Sequence, residues 1–325
     1  MSIFDGATVL VTGGTGSFGK RLLALLLAET SAAKVIVYSR DELKQFELQQ
    51  RYPSESRLRW FLGDVRDYPR LYRALRGVDL VVHAAALKQV PAAEYNPFEA
   101  VKTNIHGAQN VIEASIEQGI KRVIALSTDK ASSPMNLYGA TKLVSDKLFV
   151  AGNAYSAGTE TRFSVVRYGN VVGSRGSVVP FFRERMGHGT LPITDERMTR
   201  FWITLDQGVR FVMDNMERMH GGELFVPKIP SMKVVDLAHA MDPAARLEFV
   251  GIRPGEKLHE EMISVHDSRS THDMGDYYVI QPEFEWWSRD RLDGGQSVRD
   301  GFSYSSDTNT RWLTVDELRD MVADA

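Results

Sequence analysis

The sequence contains no cysteine, which excludes disulfide bonds, thiolate catalysis and cysteine-ligated metals. It also lacks an uninterrupted apolar run long enough to cross a membrane, and Met1–Gly6 has no secretory signal pattern. An excess of one charge is missing too, since the net charge is −3. No general attraction to nucleic acid follows. We therefore expect a soluble, cytoplasmic protein that binds neither membranes nor nucleic acid and holds no metal.

Short β-branched runs alternate with amphipathic helical patterns through the first half of the 325 residues. The predicted strands are Thr8–Thr12, Val35–Tyr38, Leu58–Leu62, Leu80–His83, Val123–Leu126 and Phe163–Arg167. The predicted helices include Lys20–Ala28, Leu43–Arg51, Pro97–Gln118 and Leu137–Val150. This alternation predicts an α/β protein with a Rossmann-type, doubly wound parallel sheet and helices on both faces.

The alternation breaks after Asn170, where glycines and prolines become frequent. We predict a larger domain from residues 1–170 plus about 205–228. Residues of about 171–204 plus 229–325 are predicted to form a smaller, mostly C-terminal α/β domain. Thr314 and Glu317 have the spacing of a capping box, which predicts a final helix.

A glycine-rich segment follows the first predicted strand and begins the first helix. Glycines permit a tight turn and let backbone N–H groups approach a pyrophosphate at the positive end of a helix. We therefore predict a dinucleotide site, although a glycine-rich turn can also serve helix–sheet packing alone. The predicted contacts are Gly13, Thr15, Gly16, Ser17, Phe18 and Gly19.

The end of the second strand bears on the choice of cofactor. NAD sites usually have a carboxylate there, whereas this strand ends in Ser39 and Arg40, with Lys44 one helical turn on. These groups can hold a 2′-phosphate, so NADP is predicted. Asp41 is the exception, and it is expected to cap the next helix. Asp64, after the third strand, has two interpretations of equal weight: a hydrogen bond to adenine, or a helix cap.

Ser127–Lys130 lies at the carboxyl end of the fifth strand, where ligands of such sheets bind. Tyr138 and Lys142 follow on one face of the next helix. We expect Lys142 to lower the pKa of Tyr138, so that the phenol can transfer a proton during hydride transfer. Asp129 adds an acid and Lys130 a base. The set predicts an oxidation followed by a second proton transfer.

Seven segments together resemble the extended short-chain dehydrogenase/reductase superfamily. More narrowly, they are similar to the soluble UDP-N-acetylglucosamine 4,6-dehydratases that invert C5, of the pseudaminic-acid biosynthesis type. The resemblance covers the chain up to about Ile280, and no role is assigned beyond it. The segments are Thr12–Gly19, His83–Pro91, Ser127–Lys130, Asn136–Lys142, Arg167–Gly173, Met198–Phe201 and Gly251–Glu260.

The resemblance implies a reaction in which oxidation at C4 makes the C5 proton acidic and allows the C6 hydroxyl to leave. Tyr138, assisted by Lys142, takes the C4 hydroxyl proton as NADP accepts the hydride, and Thr128 binds the C4 oxygen. Lys130 then removes the C5 proton and Asp129 protonates the departing C6 oxygen. The hydride finally returns to C6.

Lys130 also bears on stereochemistry. Related retaining dehydratases carry Asp-Glu where this chain has Asp129-Lys130, so the resemblance implies C5 inversion. To act as a base the lysine must be neutral, which desolvation and a nearby charge on Lys142 or the nicotinamide would favour. Some membrane-anchored relatives share Asp-Lys but lack the tyrosine and retain the C5 configuration. Tyr138 and the missing transmembrane region therefore favour the soluble, inverting group.

The resemblance further implies contacts to a UDP-sugar and a homo-oligomer, either a dimer or a hexamer. Arg175 and Arg200 are weaker candidates, and His83 is predicted to be a packed, hydrogen-bonded histidine. The implied substrate contacts are Lys88, Asn170, Val178, Thr194, Arg253 and Glu256. Lys88 is also implied to contact the cofactor, as are Val65, Ala84, Tyr138 and Lys142.

Two other functions stay open. A UDP-hexose or UDP-N-acetylhexosamine 4-epimerase needs the Tyr138–Lys142 pair but no acid and base for C5 and C6. A regulator that senses NADP without turnover needs neither Tyr138 nor Lys142.

Overall fold

A computed structural model describes residues 2–174, 177–284 and 294–323 of the chain. The strands are β1 Thr8–Thr12, β2 Lys34–Ser39, β3 Leu58–Leu62, β4 Leu80–His83, β5 Arg122–Thr128, β6 Arg162–Tyr168, β7 Asn170–Val171, β8 Thr190–Ile193, β9 Thr199–Ile203, β10 Leu224–Pro227, β11 Ser231–Lys233, β12 Arg246–Phe249, β13 Glu261–Ile263, β14 Thr271–Asp273, β15 Tyr277–Ile280, β16 Gln296–Ser297 and β17 Tyr304–Ser305.

The helices lie mainly between the strands of the first half and around the shorter strands of the second. They are α1 Ser17–Glu29, α2 Glu42–Gln49, α3 Tyr68–Ala74, α4 Val90–Tyr95, α5 Pro97–Val101, α6 Gly107–Gln118, α7 Leu137–Tyr155, α8 Val178–Arg183, α9 Leu205–Arg218, α10 Val234–Met241 and α11 Val315–Ala323. A π-helical turn, Lys102–His106, joins α5 to α6 without a break.

The large sheet has the order β16-β14-β15-β10-β6-β5-β4-β1-β2-β3 among the described residues. The strands from β3 to β10 in this order pair in parallel, and β15, β14 and β16 extend one edge in antiparallel pairing. The chain reverses its direction of travel across the sheet between β1 and β4. A crevice forms at the carboxyl ends of the strands at such a reversal, which is where ligands of these folds bind.

The predicted doubly wound parallel sheet is confirmed. All four residues of β4 are buried, and so are four of the five residues of β1, as expected for strands covered by helices on both faces. Predicted bounds for Thr8–Thr12, Leu58–Leu62 and Leu80–His83 match the structure. The other three predicted strands are longer in the structure than their predicted bounds.

A second cluster of buried hydrophobic side chains lies apart from the main core and is built around β8, β9, α8, α10 and α11. The predicted division into two domains stays a proposal. One observation bears on its boundaries: Thr271–Ile280 contributes two strands to the large sheet, and Val279 packs in the main core. Along the described parts of the chain, none of the helices has both the length and the apolar character needed to span a bilayer.

Candidate active site

A cavity of about 630 Å³ opens at the carboxyl ends of β1, β4 and β5. This volume is typical of a pocket for a small molecule or cofactor. The structure places every residue predicted to bind the cofactor in its lining, together with all five predicted catalytic residues. The former are Gly13, Thr15, Gly16, Ser17, Phe18, Gly19, Ser39, Arg40, Lys44, Asp64, Val65, Ala84, Lys88, Tyr138 and Lys142, and the latter Thr128, Asp129, Lys130, Tyr138 and Lys142.

The glycine-rich turn after β1 is shaped by glycine at two positions. Gly13 has φ +67°, and a Cβ there would lie 2.9 Å from the backbone nitrogen of Ala85. A Cβ on Gly19 would lie 2.4 Å from Cα of Gly14, so α1 packs directly on the turn. Gly16 is the N-cap of α1 and has no side chain to satisfy the amides of the first helical turn. Those amides, and the positive end of the helix, suit a pyrophosphate.

Beyond β2, the cations predicted to hold a 2′-phosphate already have carboxylate partners. Lys44 pairs with Asp41, whose side chain also accepts from the backbone N–H of Lys44 and so caps α2 as predicted. Nη1 of Arg40 lies 3.6 Å from Asp64, and the Arg40 side chain remains 52% exposed. Arg40 is therefore accessible to an anion at the rim of the cavity.

The alternative that Asp64 caps the next helix is wrong. Asp67 is the N-cap of α3 and accepts from the backbone N–H of Arg70. Asp64 instead accepts hydrogen bonds from the backbone and the guanidinium of Arg66. Two residues lie between the two aspartates, and the cap falls on the later one because α3 begins only at Tyr68.

The turn after β5 carries the predicted acid and base. Asp129–Ala131 forms a single 3₁₀ turn, and the hydroxyl of Thr128 donates to Oδ1 of Asp129 at 2.9 Å. Nζ of Lys130 lies 3.0 Å from the same Oδ1. The Asp129 side chain is 1% exposed and that of Lys130 24%, so the base is the more accessible member of the pair.

Sequence reasoning missed a second carboxylate beside Lys130. Oε1 of Glu260 lies 3.1 Å from Nζ of Lys130, and Glu260 is buried. Arg200 and Lys257 lie 3.9 Å from its two oxygens, respectively Oε1 and Oε2. Glu260 is the last residue of one of the segments that carry the family resemblance, but the local sequence does not indicate that it contacts Lys130.

The surroundings of Lys130 differ from those expected. Burial lowers the pKa of Lys130, but Asp129 and Glu260 together raise it above its ordinary value. The cation that opposes this rise is Arg200 rather than Lys142. Lys130 is therefore an ammonium group held between two carboxylates, and a neutral amine requires that one proton be moved.

Tyr138 and Lys142 are both removed from water. Burial raises the pKa of Tyr138 to about 12, while Lys130 and the Thr128 hydroxyl lower it. The pKa of Tyr138 therefore lies above its ordinary value and not below it as expected, and the cation that lowers it most is Lys130 rather than Lys142. Burial also lowers the pKa of Lys142, and Asp146, one turn further along α7, opposes that change.

A buried ion pair between Asp146 and Arg167 joins α7 to the neighbouring strands. Oδ2 of Asp146 accepts from the hydroxyl of Ser127 at 2.6 Å and from Nη2 of Arg167 at 3.2 Å. Nη1 of Arg167 donates to the carbonyl of Met262 at 2.9 Å, within β13, the strand that follows Glu260. This network ties α7, β5 and β13 together, so the turn after β5 has a fixed relation to Tyr138.

Asn104, on the π-helical turn, connects the loop after β4 to α7. Its side chain exchanges two hydrogen bonds with the backbone of Leu87, at 2.8 and 3.0 Å, and donates to Oγ1 of Thr141 at 3.0 Å. Lys88, adjacent to Leu87, is thereby positioned at the cavity. Burial lowers the pKa of Lys88, and Lys130 lowers it further.

The predicted substrate contacts divide into two groups. Lys88 and Asn170 line the cavity. Val178, Thr194, Arg253 and Glu256 are not among the described residues of its lining; Arg253 is exposed, and Glu256 lies 3.5 Å from Arg200. They occupy the segments after β7, β8 and β12, so their roles stay predictions. Arg175 lies outside the described residues.

His83 is packed and hydrogen-bonded, as predicted. Its Nδ1 lies 2.9 Å from Oγ1 of Thr12, and its ring packs on Phe149 with centroids 5.4 Å apart. Burial, with a smaller effect of Lys142, lowers the pKa of His83 to about 3. The ring is therefore neutral over the physiological range.

The chain belongs to the polysaccharide biosynthesis protein family, whose model matches residues 9–282. Among characterised relatives, it is 58% identical to a UDP-N-acetylglucosamine 4,6-dehydratase (inverting) of Campylobacter jejuni subsp. jejuni serotype O:23/36 (strain 81-176), with 98% of both chains covered. This confirms the resemblance drawn from the sequence. The UDP-glucose 4-epimerase of Rickettsia canadensis is 37% identical over 98% of this chain and 96% of its own.

Solved structures show the same fold. Pen from Bacillus thuringiensis superposes with a TM-score of 0.90 at 36% identity, covering 99% of this chain and 98% of that one. DesIV, a dTDP-glucose 4,6-dehydratase from Streptomyces venezuelae with NAD and TYD bound, has a TM-score of 0.69 at 26% identity. The match covers 77% of this chain and 86% of DesIV.

Proposed function

We propose that this chain is a UDP-N-acetylglucosamine 4,6-dehydratase that inverts C5, a lyase whose product is UDP-2-acetamido-2,6-dideoxy-β-L-arabino-hex-4-ulose. One observation carries the proposal. The cavity that contains Tyr138 and Lys142 also contains Lys130 in contact with Asp129. Oxidation and reduction at C4 need only the first pair, whereas loss of water across C5 and C6 needs the second. The 58% identity to the Campylobacter dehydratase supports the same conclusion.

A nicotinamide dinucleotide, when bound, supplies hydride acceptance from C4 and hydride return to C6. Tyr138 takes the proton of the C4 hydroxyl, and Thr128 donates a hydrogen bond to the C4 oxygen. Tyr138 must be a phenolate before it can take that proton, and Lys142 holds a positive charge near it. Because a buried anion is costly, this charge is worth most in the state in which Tyr138 has lost its proton.

The elimination is assigned to the turn after β5. Nζ of Lys130 removes the proton from C5, which the C4 ketone has made acidic, and Asp129 donates a proton to the C6 oxygen, which leaves as water. A proton from solvent is then added to C5 on the opposite face of the sugar, which gives the inverted product. Lys130, at a position where related retaining dehydratases carry glutamate, supports inversion together with Tyr138.

We propose NADP as the cofactor. Arg40 offers a planar guanidinium at the rim of the cavity, with Ser39 and Lys44 beside it, and a phosphate is a better partner for these groups than a hydroxyl. The pyrophosphate is assigned to the turn from Gly13 to Gly19. Asp64 is assigned to the adenine end of the cavity, with its backbone-bound carboxylate near Arg40.

The UDP-sugar is assigned to the side of the cavity beyond Lys88 and Asn170. Arg253 is proposed to bind the pyrophosphate of the substrate and Glu256 its ribose. Val178 and Thr194 are proposed to contact the uridine and the sugar. We also propose that the enzyme is cytoplasmic and acts as a homo-oligomer, a dimer or a hexamer.

Incubation with UDP-N-acetylglucosamine and NADP⁺ in deuterated water tests the function. We expect a product with a C6 methyl group, deuterium at C5 and the L-arabino configuration. A C4-inverted product without C5 exchange would instead establish the 4-epimerase, whose best support is the Rickettsia relative. Cofactor binding without any product from a panel of UDP-sugars would favour the NADP-sensing regulator.

A further inference from the structure

We propose that Glu260 is a positioning residue for Lys130: from behind the cavity, its carboxylate holds the amino group of Lys130 against Asp129 and controls how readily that group gives up its proton. The role deepens the proposed dehydration and rests on it for the identity of the reaction. Glu260 itself touches neither substrate nor cofactor in this proposal.

The geometry puts Lys130 between two carboxylates on different segments. Asp129 precedes it on the same turn, with Oδ1 at 3.0 Å, and Glu260 approaches from the segment before β13, with Oε1 at 3.1 Å. Asp129 and Lys130 line the cavity, whereas Glu260 is not among the described residues of its lining and has a side chain 2% exposed. Glu260 therefore acts on the chemistry through Lys130.

The backbone of Glu260 is fixed by the segment around β17. Its N–H donates to Oγ of Ser306 at 2.9 Å, and its carbonyl accepts from the Ser306 N–H at 2.8 Å. The Ser306 hydroxyl lies 2.7 Å from that of Thr199, on β9. The segments of Ser306 and Thr199 thus hold the backbone of Glu260 in place, which is what a group that orients another side chain requires.

Two cations also face Glu260, but neither is as close as Lys130. Nε of Arg200 is 3.9 Å from Oε1, and Nζ of Lys257 is 3.9 Å from Oε2. Lys257 is held away by a 2.6 Å hydrogen bond to the carbonyl of Ser132. Among the described residues, charged groups that shift the pKa of Lys130 include Asp129, Glu260 and Arg200. Groups whose own pKa is lowered by the charge of Lys130 include Lys88, Lys257 and Tyr138.

The proton count shows why a second carboxylate matters. The elimination needs a neutral Lys130 and a protonated Asp129, which differ from the ion pair by one proton moved along the 3.0 Å hydrogen bond. Lys130 then gains the C5 proton and Asp129 loses its own to the departing water, so the ion pair is restored. Glu260 takes no part in either transfer. Its charge stabilises the ammonium form of Lys130. This opposes the transfer of a proton from Lys130 to Asp129 and favours the transfer of the C5 proton to Lys130.

The sign of the effect on Lys130 follows from these contacts. Burial lowers its pKa, and Asp129 and then Glu260 raise it, so the net value lies above the ordinary one. Without the charge of Glu260, only Asp129 of these two acids opposes the lowering of the Lys130 pKa by burial and by Arg200. The pKa of Lys130 then falls, and its neutral form appears at lower pH.

The first measurement needs no substrate. Protein labelled with ¹³C at the lysine Cε positions is titrated by NMR, and the Lys130 signal is identified by its absence in Lys130→Arg. In Glu260→Gln we expect the signal to begin to shift at least about one pH unit lower than in the wild type, a tenfold change in the equilibrium. The matched control is Glu261→Gln, a neighbouring carboxylate that bonds to Ser133, which should leave the onset unchanged. An unchanged onset in Glu260→Gln overturns the proposal.

The second measurement uses UDP-N-acetylglucosamine. We expect Glu260→Gln to lower kcat about tenfold or more, to leave KM within about twofold, and to move the rising limb of C5 deuterium exchange to lower pH. A loss of activity without that movement in pH would mean a purely structural role. If Glu260→Gln does not fold, Glu260→Asp retains the charge with a shorter reach and is expected to lower kcat while keeping the wild-type onset. If the wild type itself gives no product, the proposed function fails, and the NMR titration still decides the role of Glu260.

Discussion

Lys130 has a carboxylate on each side, and the two differ in what they can reach. Asp129 lies in the lining of the cavity and can give a proton to a substrate, whereas Glu260 lies behind the lysine. A lone buried ammonium would be costly, so the pair of acids also explains how a lysine is tolerated where its side chain is only 24% exposed. The same contacts hold its nitrogen in one place.

Substitution separates the two chemical stages. Tyr138→Phe removes the group that accepts the C4 hydroxyl proton, and we expect oxidation at C4 to slow by about 10²- to 10⁴-fold. Lys130→Ala should leave that oxidation measurable but abolish deuterium exchange at C5. Both are followed by cofactor absorbance and by mass spectrometry of the sugar. Normal C5 exchange in Lys130→Ala would remove the lysine from the mechanism.

His83 gives a pH prediction that is independent of turnover. Its pKa falls from an ordinary value near 6.5 to about 3 on folding, so between these values the unfolded chain binds a proton that the folded chain does not. The free energy of unfolding must then decrease as pH falls, by up to about 1.4 kcal/mol for each pH unit from this residue. Above pH 6.5, His83 is neutral in both states and no longer lowers the free energy of unfolding. Urea unfolding of wild type and His83→Gln at several pH values measures it, and we expect a shallower pH dependence in the variant.

Local patterns were sufficient for the residues of the dinucleotide turn and the turn after β5, because each lies next to a strand end. The contact between Glu260 and Lys130 could not be predicted from such local patterns. Its partner is distant in the sequence, and only the packing of the segment before β13 against the end of β5 brings the two together. Arg200 was a weaker candidate, and the structure places it beside Glu260.

At the scale of elements, α7 owes its position to a missing side chain. A Cβ on Gly139 would lie 2.1 Å from the carbonyl oxygen of Lys130, so the helix rests directly on the turn that carries the acid and base. Asn136 caps the helix and also donates to the carbonyl of Gly255 at 2.7 Å. The start of α7 is thereby joined both to the catalytic turn and to the segment of Arg253.

A pair of glycine-to-alanine variants tests this contact. Gly139→Ala should destabilise the protein by about 1–3 kcal/mol, despite the higher helix propensity of alanine, because the added Cβ meets a backbone carbonyl rather than the end of a flexible side chain. Gly208→Ala, in α9, meets its nearest atom at 4.0 Å and should be neutral or stabilising by up to about 1 kcal/mol. Chemical denaturation measures both. Equal effects in the two variants would contradict the steric argument.

The interiors of elements were predictable, but their ends were less so. Leu137–Val150 was predicted as a helix, and α7 continues to Tyr155, because its last turn is held by tertiary packing rather than by a strong pattern. The helix Pro97–Gln118 was predicted correctly, yet the π-helical turn within it was not. The short strands β14 to β16 escaped prediction because two- to four-residue strands depend on the neighbours with which they pair.

At the scale of the whole molecule, cofactor binding and folding are linked. A ligand that binds only the folded state at 100 times its Kd stabilises that state by about 2.7 kcal/mol. We expect NADP⁺ to raise the unfolding temperature more than NAD⁺ at equal concentration, and Arg40→Ala to remove the difference. Glu55→Ala, whose carboxylate pairs with Arg57 away from the cavity, serves as a control. A larger effect of NAD⁺ on the wild type would reverse the cofactor assignment.

The hydrogen bonds between Ser306 and Glu260 have a practical consequence for protein engineering. The family match ends at residue 282, which invites chimeras that exchange everything after that point. Such grafts would discard the serine that anchors the buried glutamate, and with it the strand partner of β13. A swap intended to change only the tail would therefore alter proton transfer at the sugar, unless residues 304–306 of the recipient were retained.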